Sequence, residues 1–360
     1  MPKKDLFDKP FDEGTKSKLD IYREYLKEWL PVFVSRVPPI WKKVQIFDFF
    51  AGKGKDKNGE KGSPLIAVNL INVYIEYIIQ NKVEVILHLN ELNEISYEAL
   101  AENINGLGIN FQIKTYNLEF KKVFEVLYPS MKESANFLFL DQNGIKEITK
   151  EIFEQITSLK KTDFLFFISS SYFKRFATTP EFKKYFPFEP SEVADTDYYH
   201  IHRKVVNHYK SLITDKKQYF LAPFSIKKGA NIYGLVFGTN HTLGIEKFLS
   251  VAWKKDKLTG EANYDIDNEK IDLRQQSLFE EYNKPSKRQV FEKNLISAIL
   301  NKTLTTNQSV YLFGLNEGFQ LKDVNTVLRK LKTEKKIEYD FITLSADLHK
   351  IEKVEPIKLL

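Results

Sequence analysis

Val44-Gln45-Ile46-Phe47-Asp48-Phe49-Phe50-Ala51-Gly52-Lys53-Gly54, followed after a polar loop by Gly62-Ser63-Pro64, is the stretch that decides the fold. An apolar run with Asp48 near its end reads as a buried strand. Two glycines directly behind it mark a sharp turn, or a place where a ligand comes close to the backbone. Ser63 as N-cap and Pro64 in the first turn then open a helix. Strand, glycine turn and helix in this order form the cofactor-binding unit of an open α/β sheet. The dinucleotide fingerprint is not met. Its third glycine falls on Lys57, and the helix starts too late to offer its N-terminus to a pyrophosphate. The expected ligand is therefore S-adenosylmethionine (SAM) rather than NAD, with main-chain N–H groups of the turn left open to it. Asp48, Phe49, Ala51, Gly52 and Gly54 are its candidate contacts.

Outward from this unit, strands and helices alternate. Strands are expected at 44–50, 83–90, 111–116, 136–140 and 163–168, and helices at 64–81, 95–105, 120–128 and 146–159. After a helix at 195–214, two strands (218–226 and 232–238) follow with only a hairpin link between them. A dinucleotide-binding sheet would place a crossover helix and a sixth parallel strand there. A helix-free hairpin instead predicts an α/β fold with a seven-stranded, mostly parallel class I methyltransferase-like Rossmann sheet. An amphipathic helix at 17–34, carrying Leu19, Tyr22, Leu26, Trp29, Leu30 and Phe33, precedes it and is expected to cover the sheet edge or the cofactor mouth. The tail reads as a helix (288–301), a short apolar piece (310–315), Gly318, a second helix (321–335) and a strand pair within 337–344, the order of a winged helix. The expected domains are 1–40, a helical segment packing on the core; 41–253, the Rossmann-like domain; 254–287, a charged linker or arm; and 288–360, a small winged-helix-like domain.

Composition narrows the chemistry. The 360 residues include no cysteine, which excludes disulfides, thiolate metal sites and cysteine nucleophiles within this chain. No apolar run approaches the roughly 20 residues of a membrane span, and the first residues lack the apolar core of a signal peptide. A cytoplasmic location is the expectation. The net charge of +6 permits nucleic-acid binding. His200 and His202 lie two apart and would face apart on a helix, so no metal site is expected.

Four further groups carry possible chemistry. Glu91 closes the second strand, where a carboxylate can accept both ribose hydroxyls; Glu94 competes, and the register favours Glu91. Asp141-Gln142-Asn143-Gly144 follows the fourth strand. Enzymes that methylate exocyclic amines often place an acid or amide there to accept the amine hydrogens, so Asp141 and Asn143 are candidate catalytic residues; the same residues read equally well as a turn. Ser169 and Ser170, with Arg175, lie on the ligand-binding rim and are candidate substrate contacts, although a polar helix start reads as well. Lys322, Arg329 and Lys330 belong to a basic tail helix suited to phosphate contacts, and Lys53 and Lys55 add positive charge beside the cofactor mouth. A solvated helix face is the alternative for the tail, since winged helices also dock proteins.

Taken together, Tyr25-Leu26-Lys27-Glu28-Trp29-Leu30-Pro31, Phe47–Gly54, Gly62-Ser63-Pro64-Leu65, Phe137–Asp141 with Gly144, Arg175-Phe176, and Asn231–Gly238 with Phe248-Leu249 and Trp253 resemble the three-Cys-motif partner proteins (TcmP) of bacteria. The resemblance implies a class I methyltransferase sheet with a small C-terminal helical or winged domain. It also implies a partner bearing three cysteines, of radical-SAM or iron–sulfur type, which would carry any cluster chemistry. That family has Asp-Pro-x-Gly after its fourth strand, and Gln142 stands here in place of the proline. The sequence thus points to a SAM-binding methyltransferase acting on a nucleic acid or nucleotide-like group; the alternative is a catalytically degenerate scaffold serving as a nucleic-acid or protein-binding module.

Overall fold

The computed structural model of the chain describes residues 9–142, 146–170, 179, 198–214, 218–229, 231–267, 285–345, 348 and 354–360. The chain divides into two units, residues 1–219 with 223–240, and residues 220–222 with 241–360.

Helix α1 (Glu13–Val34) opens the first unit. Asp12 caps it, its carboxylate accepting the Thr15 amide at 2.8 Å, so the helix starts four residues before the periodicity suggests. The strands are β1 (Lys43–Asp48), β2 (Glu84–Asn90), β3 (Gln112–Tyr116), β4 (Ala135–Leu140), β5 (Thr162–Ile168), β6 (Phe220–Lys228) and β7 (Asn231–Thr239). They form one sheet in the order β3-β2-β1-β4-β5-β7-β6. β1 pairs in parallel with β2 and β4, and β2 with β3 and β4 with β5 are also parallel, whereas β7 runs antiparallel to β5. This is the methyltransferase type of seven-stranded sheet, as the hairpin predicts, and it places the switch of strand order between β1 and β4.

Helices α2 (Ser63–Val73), α3 (Ile75–Gln80), α4 (Glu94–Asn105), α5 (Phe120–Met131), α6 (Lys150–Ser158) and α7 (Ile201–Ser211) cover the sheet. The single helix expected at 64–81 is broken at Tyr74 into α2 and α3. Its N-cap is Gly62 rather than Ser63. The expectation that α1 covers an edge or the mouth is corrected in part. Tyr22 and Tyr25 pack on Phe137 of β4, at ring distances of 5.9 and 5.5 Å, and Tyr25 on Phe237 of β7 at 4.8 Å. The helix therefore lies over central strands, because rings spaced three and four apart all face the sheet. Tyr25 fixes it by donating its hydroxyl to the buried Asp163 carboxylate at 2.6 Å. At Gly238 a Cβ would come within 2.1 Å of the Phe164 ring, so only glycine lets β5 and β7 pair around that side chain.

The second unit contains α8 (Thr242–Lys255), α9 (Lys287–Leu300), α10 (Asn307–Asn316), α11 (Leu321–Thr333), β8 (Ile337–Glu338) and β9 (Lys358–Leu359). Its core is Phe291, Leu295, Val310, Leu315, Val324, Leu328 and Leu331. The apolar piece at 310–315, given no secondary structure from the sequence, lies in helix α10, capped by Thr306 in a capping box with Ser309. Two expectations are corrected. The strand of the wing, β8, pairs not within 337–344 but with β9 near the C-terminus. Residues 256–267, expected as linker, are folded: Asp256 accepts the amides of Leu258, Thr259, Glu261 and Ala262.

Candidate cofactor site at the carboxyl ends of β1, β2 and β4

Parallel strands on both sides of β1 bring Asp48, Glu91 and Asp141 to one end of the sheet. Behind β1 the chain turns through Gly52 (φ 60°) and Gly54 (φ 85°), conformations that favour glycine. Gly54 is also packed in, since a Cβ there would meet the Leu100 side chain at 3.2 Å.

The amides of this turn are occupied. Phe49 N–H donates to the Phe139 carbonyl (3.2 Å) and Ala51 N–H to the Asn90 carbonyl (2.9 Å). Phe50 N–H donates to Asp48 Oδ1 (3.2 Å) and Gly52 N–H to Glu91 Oε2 (2.9 Å). The expectation of open main-chain donors is corrected at these residues, because neighbouring strand carbonyls and two carboxylates already satisfy them. Phe49 and Ala51 are core residues that shape the turn through their backbone alone, and the Phe49 ring packs edge-on against Phe120 at 5.2 Å.

Carboxylates face the site instead. Glu91 is held at both oxygens by backbone, Oε1 accepting from Asn93 N–H at 2.8 Å. Lone pairs remain, since a carboxylate accepts about four hydrogen bonds. The exposed Leu92 and the Leu118 side chain lie in the segments just past β2 and β3. Asn117 ties these segments together by donating to the Glu91 and Leu92 carbonyls. Asp48 is 1% exposed, and its Oδ2 has no partner among the described residues. Burial pushes its carboxyl up to about 7, the Ser63 hydroxyl and Phe50 amide pull the other way, and the charges of Asp141 and Glu91 push it up further. The Tyr22 hydroxyl, near enough to feel Asp48, is likewise buried and without a partner among the described residues.

Asp141 is engaged by a residue that sequence reading missed. Lys18 of α1 forms an ion pair with it and lies 4.9 Å from the centre of the Phe167 ring. A signal was present: Lys18, Tyr22, Tyr25 and Trp29 share one helical face, so a lysine sits on the stripe that otherwise packs on the sheet. Gln142 is buried and braces the loop, donating to the Phe167 carbonyl at 3.1 Å and accepting Glu147 N–H at 3.0 Å. Asn143 and Arg175 lie outside the described residues. Ser170 is buried beside Gly234, while Ser169 is half-buried at the end of β5. Lys53, Lys55 and Lys57 border a basin between the glycine loop and α4.

In the second unit, Lys322, Thr326, Arg329, Lys330 and Thr333 are exposed along one side of α11, while Val324, Val327, Leu328 and Leu331 fill the core. The tail lysines and arginine named from sequence therefore do share a solvent face. Among the described residues, no group of three His, Asp or Glu side chains is arranged to hold a metal, and no helix is long and apolar enough to cross a membrane.

Residues 264–341 match the family described as GMT-like wHTH domain. No curated protein matches the chain. Among solved structures, the O-methyltransferase TomG from Streptomyces achromogenes, involved in tomaymycin synthesis and in complex with SAM, is 10% identical, with a TM-score of 0.34 over 65% of this chain and 91% of that one. Trm1 from Pyrococcus horikoshii, in complex with S-adenosyl-L-methionine, is 13% identical, with a TM-score of 0.35 over 99% and 93%. TrmK from M. capricolum, in complex with S-adenosyl-homocysteine, is 12% identical, with a TM-score of 0.28 over 81% and 93%. These likenesses are loose, and the strand order is what assigns the sheet to the methyltransferase type.

Proposed function

We propose that the chain binds S-adenosylmethionine at the mouth formed by Asp48, Gly52, Gly54 and Glu91 and transfers its methyl group to a nucleic acid or nucleotide-like group. One observation carries this reading: the turn presents carboxylates where a phosphate binder would present amides. An acidic mouth favours a cationic, hydroxyl-bearing ligand and repels a pyrophosphate. The unpartnered Asp48 Oδ2 fits an ammonium or sulfonium, and the free lone pairs of Glu91 fit ribose hydroxyls. Leu92 and Leu118 suit a flat aromatic base.

Bound there, SAM supplies an already activated methyl donor. The chain's own work is to position the reactants. Asp141, with Asn143, accepts the hydrogens of an acceptor amine and so turns its lone pair toward the donor. Lys18 positions the Asp141 carboxylate. Lys322, Arg329 and Lys330 on the open face of α11 hold phosphates of the substrate. A three-cysteine partner of the TcmP kind belongs to the same proposal.

Titration calorimetry of the full chain with SAM and with S-adenosylhomocysteine tests the reading. Both bind, and SAM binds more tightly because it carries the positive charge. Asp48→Asn and Glu91→Gln each weaken SAM by about tenfold, or about 1.4 kcal/mol. An absence of heat with either ligand at millimolar concentration removes the enzyme. A second reading, a scaffold without catalysis, is favoured by the Lys18–Asp141 pair, which already occupies the acceptor acid. Radiolabelled methyl incorporation into pooled oligonucleotides separates the two readings.

A further inference from the structure

A basin of about 540 Å³ lies between the loop that follows Gly52 and helix α4. Lys53, Lys55, Asp56 and Lys57 line it from the loop, and Ala99, Glu102 and Asn103 from α4. The loop that carries the lysines is built rather than slack. Asp56 accepts N–H donors from Phe11 (2.7 Å), Asn58 (2.8 Å) and Glu60 (2.8 Å). Burial works against its charge and these amides outweigh it, holding the carboxyl below its usual range. These amides keep the carboxylate ionised, so its charge offsets one of the three lysines. Gly62 N–H closes the loop onto the Gly54 carbonyl at 2.8 Å, and Asn103 Nδ2 fastens the Lys53 carbonyl to α4 at 2.7 Å. Lys16 pairs with Glu60 at 3.5 Å and pins the loop from α1.

The lining selects a class of ligand. Its one apolar residue is Ala99, so neither an acyl chain nor an apolar peptide finds surface to bury. Three lysines stand against two acids, Asp56 and Glu102, so the lining carries a net positive charge. The lysines are spread at alternate positions along the loop, which suits successive charges on a chain better than one compact anion. Glu102 and Asn103 can pair with sugar hydroxyls or base amines.

We propose that this basin is a phosphate-binding site that grips the sugar–phosphate backbone of a nucleic acid. The assignment rests on the proposed nucleic-acid substrate and adds a second contact region, in the first unit, to the one on α11. Fluorescence anisotropy of the full chain with a labelled single-stranded oligonucleotide of roughly 12 nucleotides tests it over a salt series. Lys55 and Lys57 are exposed, so Lys55→Ala/Lys57→Ala leaves the core intact. The double variant weakens binding and flattens the log–log salt slope by about 1.4, from two phosphate contacts at about 0.7 each. SAM heats stay as in the parent chain. In the parent, the oligonucleotide shields Lys55 and Lys57 from acetylation as read by mass spectrometry.

Binding and slope identical to the parent, with Lys322→Ala/Lys330→Ala still weakening, overturns the basin and leaves the tail site standing. If inorganic phosphate gives a heat that the double variant loses while oligonucleotide binding is unchanged, the site takes free anions and the nucleic-acid assignment falls. If the parent chain binds no oligonucleotide, the substrate reading fails and the basin with it, even where SAM binds.

Discussion

Two sets of buried polar groups cross this sheet, and they are built on opposite principles. Within the strands, a ladder runs through five of them. His88 joins Tyr116 (3.0 Å) to Gln45 (2.9 Å), Gln45 donates to Ser134 (2.7 Å), Ser134 to Asn136 (2.7 Å), and Asn136 to Thr162 (2.9 Å). Burial drives His88 down to about 3, so its ring is neutral, and the Gln45 amide orientation assigns the proton to Nε2. At the carboxyl ends, Asp48 Oδ2 and the Tyr22 hydroxyl are buried and unpartnered among the described residues. An interior that satisfies its polar groups in one place and leaves a carboxylate oxygen open in another marks the second place for a ligand. The ladder is structure, and on the proposed function the mouth is a binding site held ready at a cost in stability.

The sharpest way to break this contrast is Asp48→Asn, measured as urea stability against pH. Asp48 is raised to about 7 in the fold and sits near 3.8 when unfolded. A raised acid contributes its stability below the unfolded value and loses it as pH rises through the folded one. Stability of the parent chain therefore falls between about pH 4 and pH 7, and the variant lacks that component of the fall. At pH 8 the variant is more stable, by a difference on the order of 4 kcal/mol. Asp163, raised to about 6 by burial, adds a fall of the same sign in both chains and cancels in the comparison. A variant less stable than the parent at pH 8 would show Asp48 to be built like the ladder.

The ladder gives the converse. Asn136→Ala strands the Met131 carbonyl and loses the bonds to Ser134 and Thr162, while the Ser134 hydroxyl keeps the Ser130 carbonyl as acceptor at 3.1 Å. Leaving buried partners unsatisfied costs about 2–3 kcal/mol, read as a lower urea midpoint with an unchanged slope. SAM affinity of the folded protein stays within about twofold, because the residue lies at the far end of β4 from Asp141.

These effects also show what sequence could carry. Strand order and the closing hairpin were legible because long apolar runs such as Phe137–Leu140 and Phe164–Ile168 are separated by helical periods, with one gap too short for a helix. Glu91 was legible as an acid closing a strand. Its bond to Gly52 was not, since a glycine pair signals a turn without saying which carboxylate, 39 residues away, will accept its amide. Lys18 meets Asp141 across 123 positions, and only its place on the Tyr22–Tyr25 face hinted at it. Val310-Tyr311-Leu312-Phe313 is a run of four apolar residues, which leaves strand and helix undecided. Thr306 and Ser309 held the deciding information in their capping box. β9 begins 20 residues beyond the end of β8, farther than local pattern reaches.

The smallest effect concerns Gln142, which stands at the border of the two regions. Its side chain is buried beside the acidic mouth, yet it is satisfied like a ladder residue, with the Phe167 carbonyl on one side and Glu147 N–H on the other. A proline in its place would fix φ but lose both bonds. The groups left behind are backbone atoms at the rim of the sheet, where water can replace the lost partner, so Gln142→Pro costs about 1 kcal/mol of stability. SAM affinity does not move, because neither bond touches Asp48 or Glu91. If the departure from Asp-Pro is such a structural exchange, the acceptor acid Asp141 keeps its place and methyl incorporation is unchanged in the variant. A rise in incorporation instead would mean that the glutamine brace, together with the Lys18 ion pair, holds Asp141 out of use.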